Sequence, residues 1–148
     1  MNVERIKNTC GKLLGVDFGD VRTGIAVSDP SRMIALCCET IKAEGIENIA
    51  SLVADYAKAQ GACAIIVGLP VNMDGSLGHR ARRAQKFAEI LENLTDLPVE
   101  TVDERMSTMQ ASRYLNATDT RGSKRKSAID TLSAQIILQS ALDRLKNS

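Results

Sequence analysis

Residues 63–70 read CAIIVGLP, a nearly unbroken apolar run of strand length that ends in Gly68, Leu69 and Pro70. A strand that is apolar on both faces has to be covered on both, as happens when a parallel sheet is sandwiched between helices. The run therefore predicts a central strand of an α/β fold.

Its neighbours follow from turn signals and period. Residues 13–18 and 23–28 are short apolar runs that stop at Gly19-Asp20 and at Asp29-Pro30, a hairpin pattern. After the loop Pro30-Ser31-Arg32, MIALCCETI offers a third strand, and connections this short favour antiparallel neighbours. Ile46, Ile49, Ala50, Val53 and Ala57 then fall at helical spacing, with Gly61 as a stop. Leu77, Ala81, Ala84, Ala88 and Leu91 mark a second helix ending before Leu97-Pro98, and PVETVDER supplies a fifth strand. Residues 106–115 suit a short helix capped by Ser107 or Thr108. NATDTRGSKRKS, residues 116–127, has no apolar period and reads as a mobile loop before a last helix over about 127–145 that carries Ile129, Ser133, Ile136, Leu142 and Leu145. The order β-β-β-α-β-α-β-α-α describes a meander followed by two right-handed crossovers, a mixed five-stranded sheet of order 3-2-1-4-5 flanked by helices.

The chain's 148 residues suit one domain spanning 1–148, and 44% hydrophobic with 25% charged residues is ordinary for a globular protein. Aromatic residues make up 3% with no Trp, which argues against extensive base stacking. The N-terminus is charged and no stretch approaches the roughly 20 apolar residues of a bilayer span, so the expected location is the cytoplasm, with no membrane partner. Cys10, Cys37, Cys38 and Cys63 lack zinc-ligand spacing and read as reduced, small hydrophobes. A net charge of +1 decides nothing about polyanionic partners; the distribution of charge must.

In the order 3-2-1-4-5 the first, fourth and fifth strands end on one crevice, where open α/β sheets bind ligands. Asp17, Gly68-Leu69-Pro70 and Asp103-Glu104 stand at those ends, and the last helix adds Asp130 at the head of a stripe continued by Ala134, Ile137 and Ala141. Three carboxylates sharing a partly buried site would raise one another's pKa unless a cation joined them, and hard oxygen donors suit Mg²⁺ or Mn²⁺, two such ions serving phosphodiester displacement. Other roles stay open on spacing alone. Asp130 with Ser127 matches a capping box, Asp103-Glu104 fits a solvated strand end, and Arg22 could pair with Asp17 as a structural ion pair. Strand alternation allows only one of Asp103 and Glu104 to face a metal.

The segments VDFGDVRTGIAVSD, IIVGLPVNMDG with the basic helix after it, VDERMST and KRKSAIDTLSAQIILQ together resemble the YqgF or RuvX family of Holliday junction resolvase-like proteins, over residues 13 to 145. The resemblance implies a ribonuclease H-like fold and a metal-dependent nuclease of the RuvC-related group, acting in 5′-end maturation of pre-16S rRNA or on DNA junctions. It assigns Asp17, Glu104 and Asp130 as catalytic, metal-holding acids with Mg²⁺ or Mn²⁺. The partners it implies are structured RNA or branched DNA, with a homodimer as an option on junctions. RuvC carries an acid after the fourth strand where this chain has Gly68-Leu69-Pro70, which moves the middle acid to the fifth strand.

Basic residues fit a polyanionic substrate. Arg121, Lys124, Arg125 and Lys126 crowd the expected loop before Asp130, while Arg22 and Arg105 neighbour the acids. His79, Arg80, Arg82, Arg83 and Lys86 cluster at the start of the second helix, where a solvated face is an equal reading. Two rival functions are a non-catalytic nucleic-acid adaptor and an actin-like phosphotransferase, the latter suggested by Asp17-Phe18-Gly19 and opposed by a length with room for only one of the two domains such enzymes close around ATP.

Overall fold

In a computed structural model, which describes residues 1–104 and 122–148 and, for residues 37 and 122–130, the backbone alone, the run at 63–70 forms β4 (Ala64–Leu69). It is buried along its length up to a half-buried Leu69. Parallel to it lie β1 (Leu13–Asp17) on one side and β5 (Val99–Asp103) on the other. Beyond β1, β2 (Arg22–Ser28) and β3 (Ala35–Lys42) continue antiparallel. The resulting order, β3-β2-β1-β4-β5, is the one the connection lengths predict.

Side chains alternate cleanly between two cores. Leu14, Val16, Ile25, Ile65 and Val67 pack under α2 (Ile46–Gln60) and α3 (His79–Thr95). Leu13, Ala26, Ala64, Ile66 and Val102 face α1 (Val3–Lys7) and α4 (Gly122–Lys146). The buried residues of α2 are Ile46, Ile49, Ala50, Val53 and Ala57, the same positions whose spacing announces it, and Gly61 ends it in the left-handed conformation at φ 70°.

Four local features depart from the expectations. The polar N-terminus holds α1, a short helix with one buried residue, Ile6, too few to give a period. Arg5 pairs with Glu92 and Glu100 and donates to the Val99 carbonyl, so α1 covers the outer edge of β5. Leu77 marks no helix: it is exposed, outside α3, because Asn72, Gly75 and Ser76 close a turn just before it. The third strand starts at Ala35 rather than Met33, since the Asp29 carboxylate accepts the N–H groups of Met33 and Ile34, both at 2.8 Å, and folds the segment into a turn. Finally α4 begins at Gly122, so Lys124, Arg125 and Lys126 lie in a helix and not in a loop. Lys and Arg are good helix formers and need no apolar period to be helical. Arg105, Arg121 and the helix expected at 106–115 lie outside the described residues.

Of the cysteines, Cys10, Cys38 and Cys63 are free, but Cys10 is exposed and so is no core residue. Among the described residues no helix is long and apolar enough to cross a membrane.

Candidate active site

The carboxyl ends of β1, β4 and β5 form one edge of the sheet, and strand alternation sorts its residues by face. Leu13 faces α4, so Gly15 and Asp17 do as well; Ala64 and Ile66 carry Gly68 to that same face, and Val102 carries Glu104. Asp17 is half-buried at the end of β1, opposite Gly24. The β4–β5 ladder runs one residue past β5, where the Glu104 N–H donates to the Leu69 carbonyl at 3.1 Å. This leaves Asp103 exposed and Glu104 only 9% exposed.

Gly68, in the strand between the two acids, makes room for one of them. A β-carbon on Gly68 would lie 2.9 Å from Glu104 Cδ and 3.0 Å from its Oε1. The Glu104 carboxylate thus fills the space a β4 side chain would take, leaning from β5 over the strand that adjoins β1. Gly68 is one residue past the last β1–β4 pair, Val16 with Val67, and therefore level with Asp17.

The last helix approaches the same edge. α4 lies across β1, β2, β3 and β4 and comes close because a β-carbon on Gly15 would stand 2.6 Å from Leu138 Cβ and 3.1 Å from the Ala134 carbonyl. It is tied to β3 where Gln135 donates to the Ala35 carbonyl, the Ala35 N–H donates to Gln139, and the Thr131 and Thr40 hydroxyls meet at 2.9 Å. Thr40 pairs with Gly24, and Gly24 with Asp17, so the Thr131 anchor sits on the row of the sheet that holds Asp17. Asp130 precedes that anchor. Counted from the contact of Ala134 with Gly15, Asp130 is one helical turn back along α4, roughly 5–6 Å, and Asp17 is two residues on along β1, roughly 6.6 Å. The backbone of Asp130 is thereby carried to the edge where Asp17 and Glu104 lie.

Cations border this edge from two sides. Arg22, half-buried, opens β2 and by alternation shares the face of Gly24 and Asp17. On the other face Arg83 of α3 binds Asp20 in the β1–β2 turn, Nη2 to Oδ1 at 2.6 Å. That turn is closed by a side chain: Thr23 Oγ1 accepts from the Gly19 N–H and donates to the Gly19 carbonyl, and a β-carbon on Gly19 would strike the Arg22 carbonyl. The Arg83–Asp20 pair joins residues far apart in sequence, and no local pattern announces it. A cavity of about 570 Å³, between the C-terminal ends of α2 and α3, opens at the amino ends of the parallel strands, away from the acids.

The sequence model of RuvX, described as a Holliday junction resolvase family, matches residues 11–144. The chain belongs to the RuvX family. A RuvX relative from Rhodopseudomonas palustris strain TIE-1, named "Putative pre-16S rRNA nuclease", is 44% identical over 135 residues, covering 91% of this chain and 84% of the relative. One of the same name from Bradyrhizobium diazoefficiens is 42% identical over 137 residues, with 93% and 85% covered. Among solved structures, Thermus thermophilus RuvC in complex with a Holliday junction substrate matches with a TM-score of 0.55 at 15% identity, covering 91% of this chain and 96% of that one. The fowlpox virus resolvase with Holliday junction DNA matches with a TM-score of 0.52 at 13% identity, covering 90% and 98%. This RuvX chain therefore has the RuvC-like, ribonuclease H-like fold.

Proposed function

We propose that this RuvX chain is a metal-dependent nuclease that hydrolyses phosphodiesters in structured nucleic acid, with Asp17, Glu104 and Asp130 as its catalytic, metal-holding acids and the 5′ end of pre-16S rRNA as its substrate. The observation that carries the reading is the Glu104 carboxylate lodged over Gly68, on the face and at the edge where β1 ends in Asp17. The relatives named for pre-16S rRNA support the choice of substrate. Holliday junction DNA is the second reading, favoured by the family description and by the complexes in which the fold neighbours were solved.

The donor set fits the metal. Carboxylates offer only hard oxygen ligands, which Mg²⁺ and Mn²⁺ prefer, and the glycine between the strands lets the Glu104 carboxylate lean towards the strand beside Asp17; a pair of ions is the expected complement. Such ions would supply Lewis-acid stabilisation of the phosphate and an activated water. The protein's own contribution is to hold acids from β1, β5 and α4 on one rigid edge. Arg22, Lys124, Arg125 and Lys126, with Arg105 and Arg121, would hold the strand's phosphates without reading its bases.

The test is cleavage by the purified protein of a pre-16S 5′ leader and of a four-way DNA junction, with Mg²⁺, Mn²⁺ or chelator, beside Asp17→Asn. Cleavage of the leader that needs metal and Asp17 supports the reading. Junction cleavage alone moves the substrate to DNA. Binding without cleavage, unchanged in Asp17→Asn, makes the protein an adaptor and overturns the enzyme.

A further inference from the structure

Between the β1–β2 turn and the first turns of α3 lies a small cleft of about 130 Å³, lined by Phe18, Gly19, Asp20, Arg80 and Arg83. We infer that this cleft holds a backbone phosphate of the bound nucleic-acid strand, with Arg80 as the contacting cation and Arg83, set by Asp20, as the positioned second one. The inference rests on the nuclease reading and extends it to the opposite face of the sheet edge.

Three observations carry it. First, the walls hold one another by contacts of their own. Phe18 stacks on Phe87 with ring centroids 4.5 Å apart, Gly19 is locked by Thr23, and Arg83 gives both Nε and Nη2 to one oxygen of Asp20. Preorganised walls lower the ordering cost of binding.

Second, the charge is unbalanced in favour of an anion. Among the described residues Arg80 makes no ion pair, and its side chain is exposed at the cleft. From Gly75 to Ala88 the chain has no acid, while His79, Arg80, Arg82, Arg83 and Lys86 are all basic. Helices favour acids in the first turn, where the macrodipole is positive, yet α3 has none there and no side-chain cap. Cations gathered at that end repel one another and the dipole. A solvated face of mixed charge would avoid this cost, and a bound phosphate offsets it.

Third, the place is right for a strand running through the active site. Asp20 is three residues past Asp17, so the cleft and that acid are within roughly 10 Å along the chain. A strand crossing the edge at Asp17 meets the cleft within a nucleotide or two.

The experiment is equilibrium binding of a fluorescein-labelled RNA hairpin with a single-stranded 5′ extension, in chelator so that nothing is cut, over a range of salt. Arg80→Ala should weaken binding about five-fold at 0.1 M salt and flatten the slope of log K against log salt by about 0.7, the value for one single-strand phosphate contact. Arg80→Lys should keep the slope. Asp20→Asn keeps the Oδ1 that accepts from Arg83 and removes one like charge some 6 Å from the phosphate, so it should tighten binding about two-fold at 0.1 M salt. Thermal melting checks that each variant is folded. Wild-type affinity and slope in Arg80→Ala, or weaker binding in a folded Asp20→Asn, would overturn the inference. If ATP binds the cleft and loses it in Arg80→Ala while hairpin binding stays unchanged, the ligand is a free nucleotide and the proposal also falls. Failure here with metal-dependent cleavage by the wild type intact sinks only the cleft; a wild type that neither binds nor cleaves sinks the nuclease reading itself.

Discussion

The Glu104 carboxyl carbon lies 2.9 Å from where a β-carbon of Gly68 would stand. Gly68 lies in β4 and Glu104 one residue past the end of the adjacent, parallel β5, and the absence of a side chain on Gly68 lets the acid lean across the sheet. In the proposed nuclease, this is how an acid just past β5 would serve a site bounded by β1 and β4 even though β4 ends in Gly68-Leu69-Pro70.

Gly68→Ala is expected to harm activity more than stability. The added methyl meets Glu104 and Ile137 Cδ1, the latter the flexible end of a side chain that can yield. Overpacking of this kind costs about 1–3 kcal/mol, whereas displacing a catalytic group by ~1 Å costs on the order of 100-fold in rate. A melting curve beside single-turnover cleavage separates the two. Loss of stability with full activity would mean that Glu104 need not occupy that space.

Between the neighbouring acids of β5, Glu104→Gln should lower metal-dependent cleavage by more than about 100-fold, beyond what supporting residues of a metal site contribute. Asp103→Asn, at an exposed position, should stay close to wild type. The reverse ranking would place the metal on the other face of the strand.

Gly15→Ala tests the docking of α4. Its β-carbon would press on Leu138 Cβ and on the Ala134 backbone carbonyl, which cannot swing aside, so the helix must lift and take Asp130 with it. A loss of about 1–3 kcal/mol is expected, about 2–4 °C of melting temperature for each kcal/mol, together with loss of cleavage. Wild-type cleavage in this variant would show that the helix position is not critical.

Replacing Lys124, Arg125 and Lys126 together with Ala should weaken nucleic-acid binding similarly across sequences and reduce the salt slope by roughly two units. Because these residues lie in α4, circular dichroism should show helix content retained, Ala being the strongest helix former. Weaker binding at an unchanged slope would mean that they act by placing the helix rather than by touching phosphates.

Asp29 links the β2–β3 turn to pH. The Ser31 hydroxyl first, then the N–H of Ile34 and those of Met33 and Ser31, hold its carboxyl at about 2, below the ordinary 3.8. A folded-state value below the unfolded one means that the charged carboxylate stabilises the fold. Its contribution should be complete above about pH 4 and fade as pH falls towards about 2. The gap in urea midpoint between wild type and Asp29→Asn should therefore be constant from pH 7 to about 5 and narrow in acid. A gap that widened in acid would contradict the hydrogen-bonded carboxylate.

By itself the sequence determined the parts governed by local period and by turns. CAIIVGLP had to be an interior strand, Ile46 to Ala57 a helix ending at Gly61, and short connections made the first three strands a meander, so the sheet order followed. It also brought Asp17 and the Asp103-Glu104 pair to one edge, because strand ends are local features. Only the tertiary structure decided which of the pair turns inward, since the phase of β5 depends on its ladder to Leu69 and on the free space over Gly68. The same holds for α1, whose single buried Ile6 has no periodicity to read, and for the start of α4, whose first turns are basic and lack an apolar stripe. The Arg83–Asp20 pair and the Thr131–Thr40 anchor join residues 63 and 91 positions apart. Contacts of that span follow from how the chain is packed, and no window of neighbouring residues contains both partners.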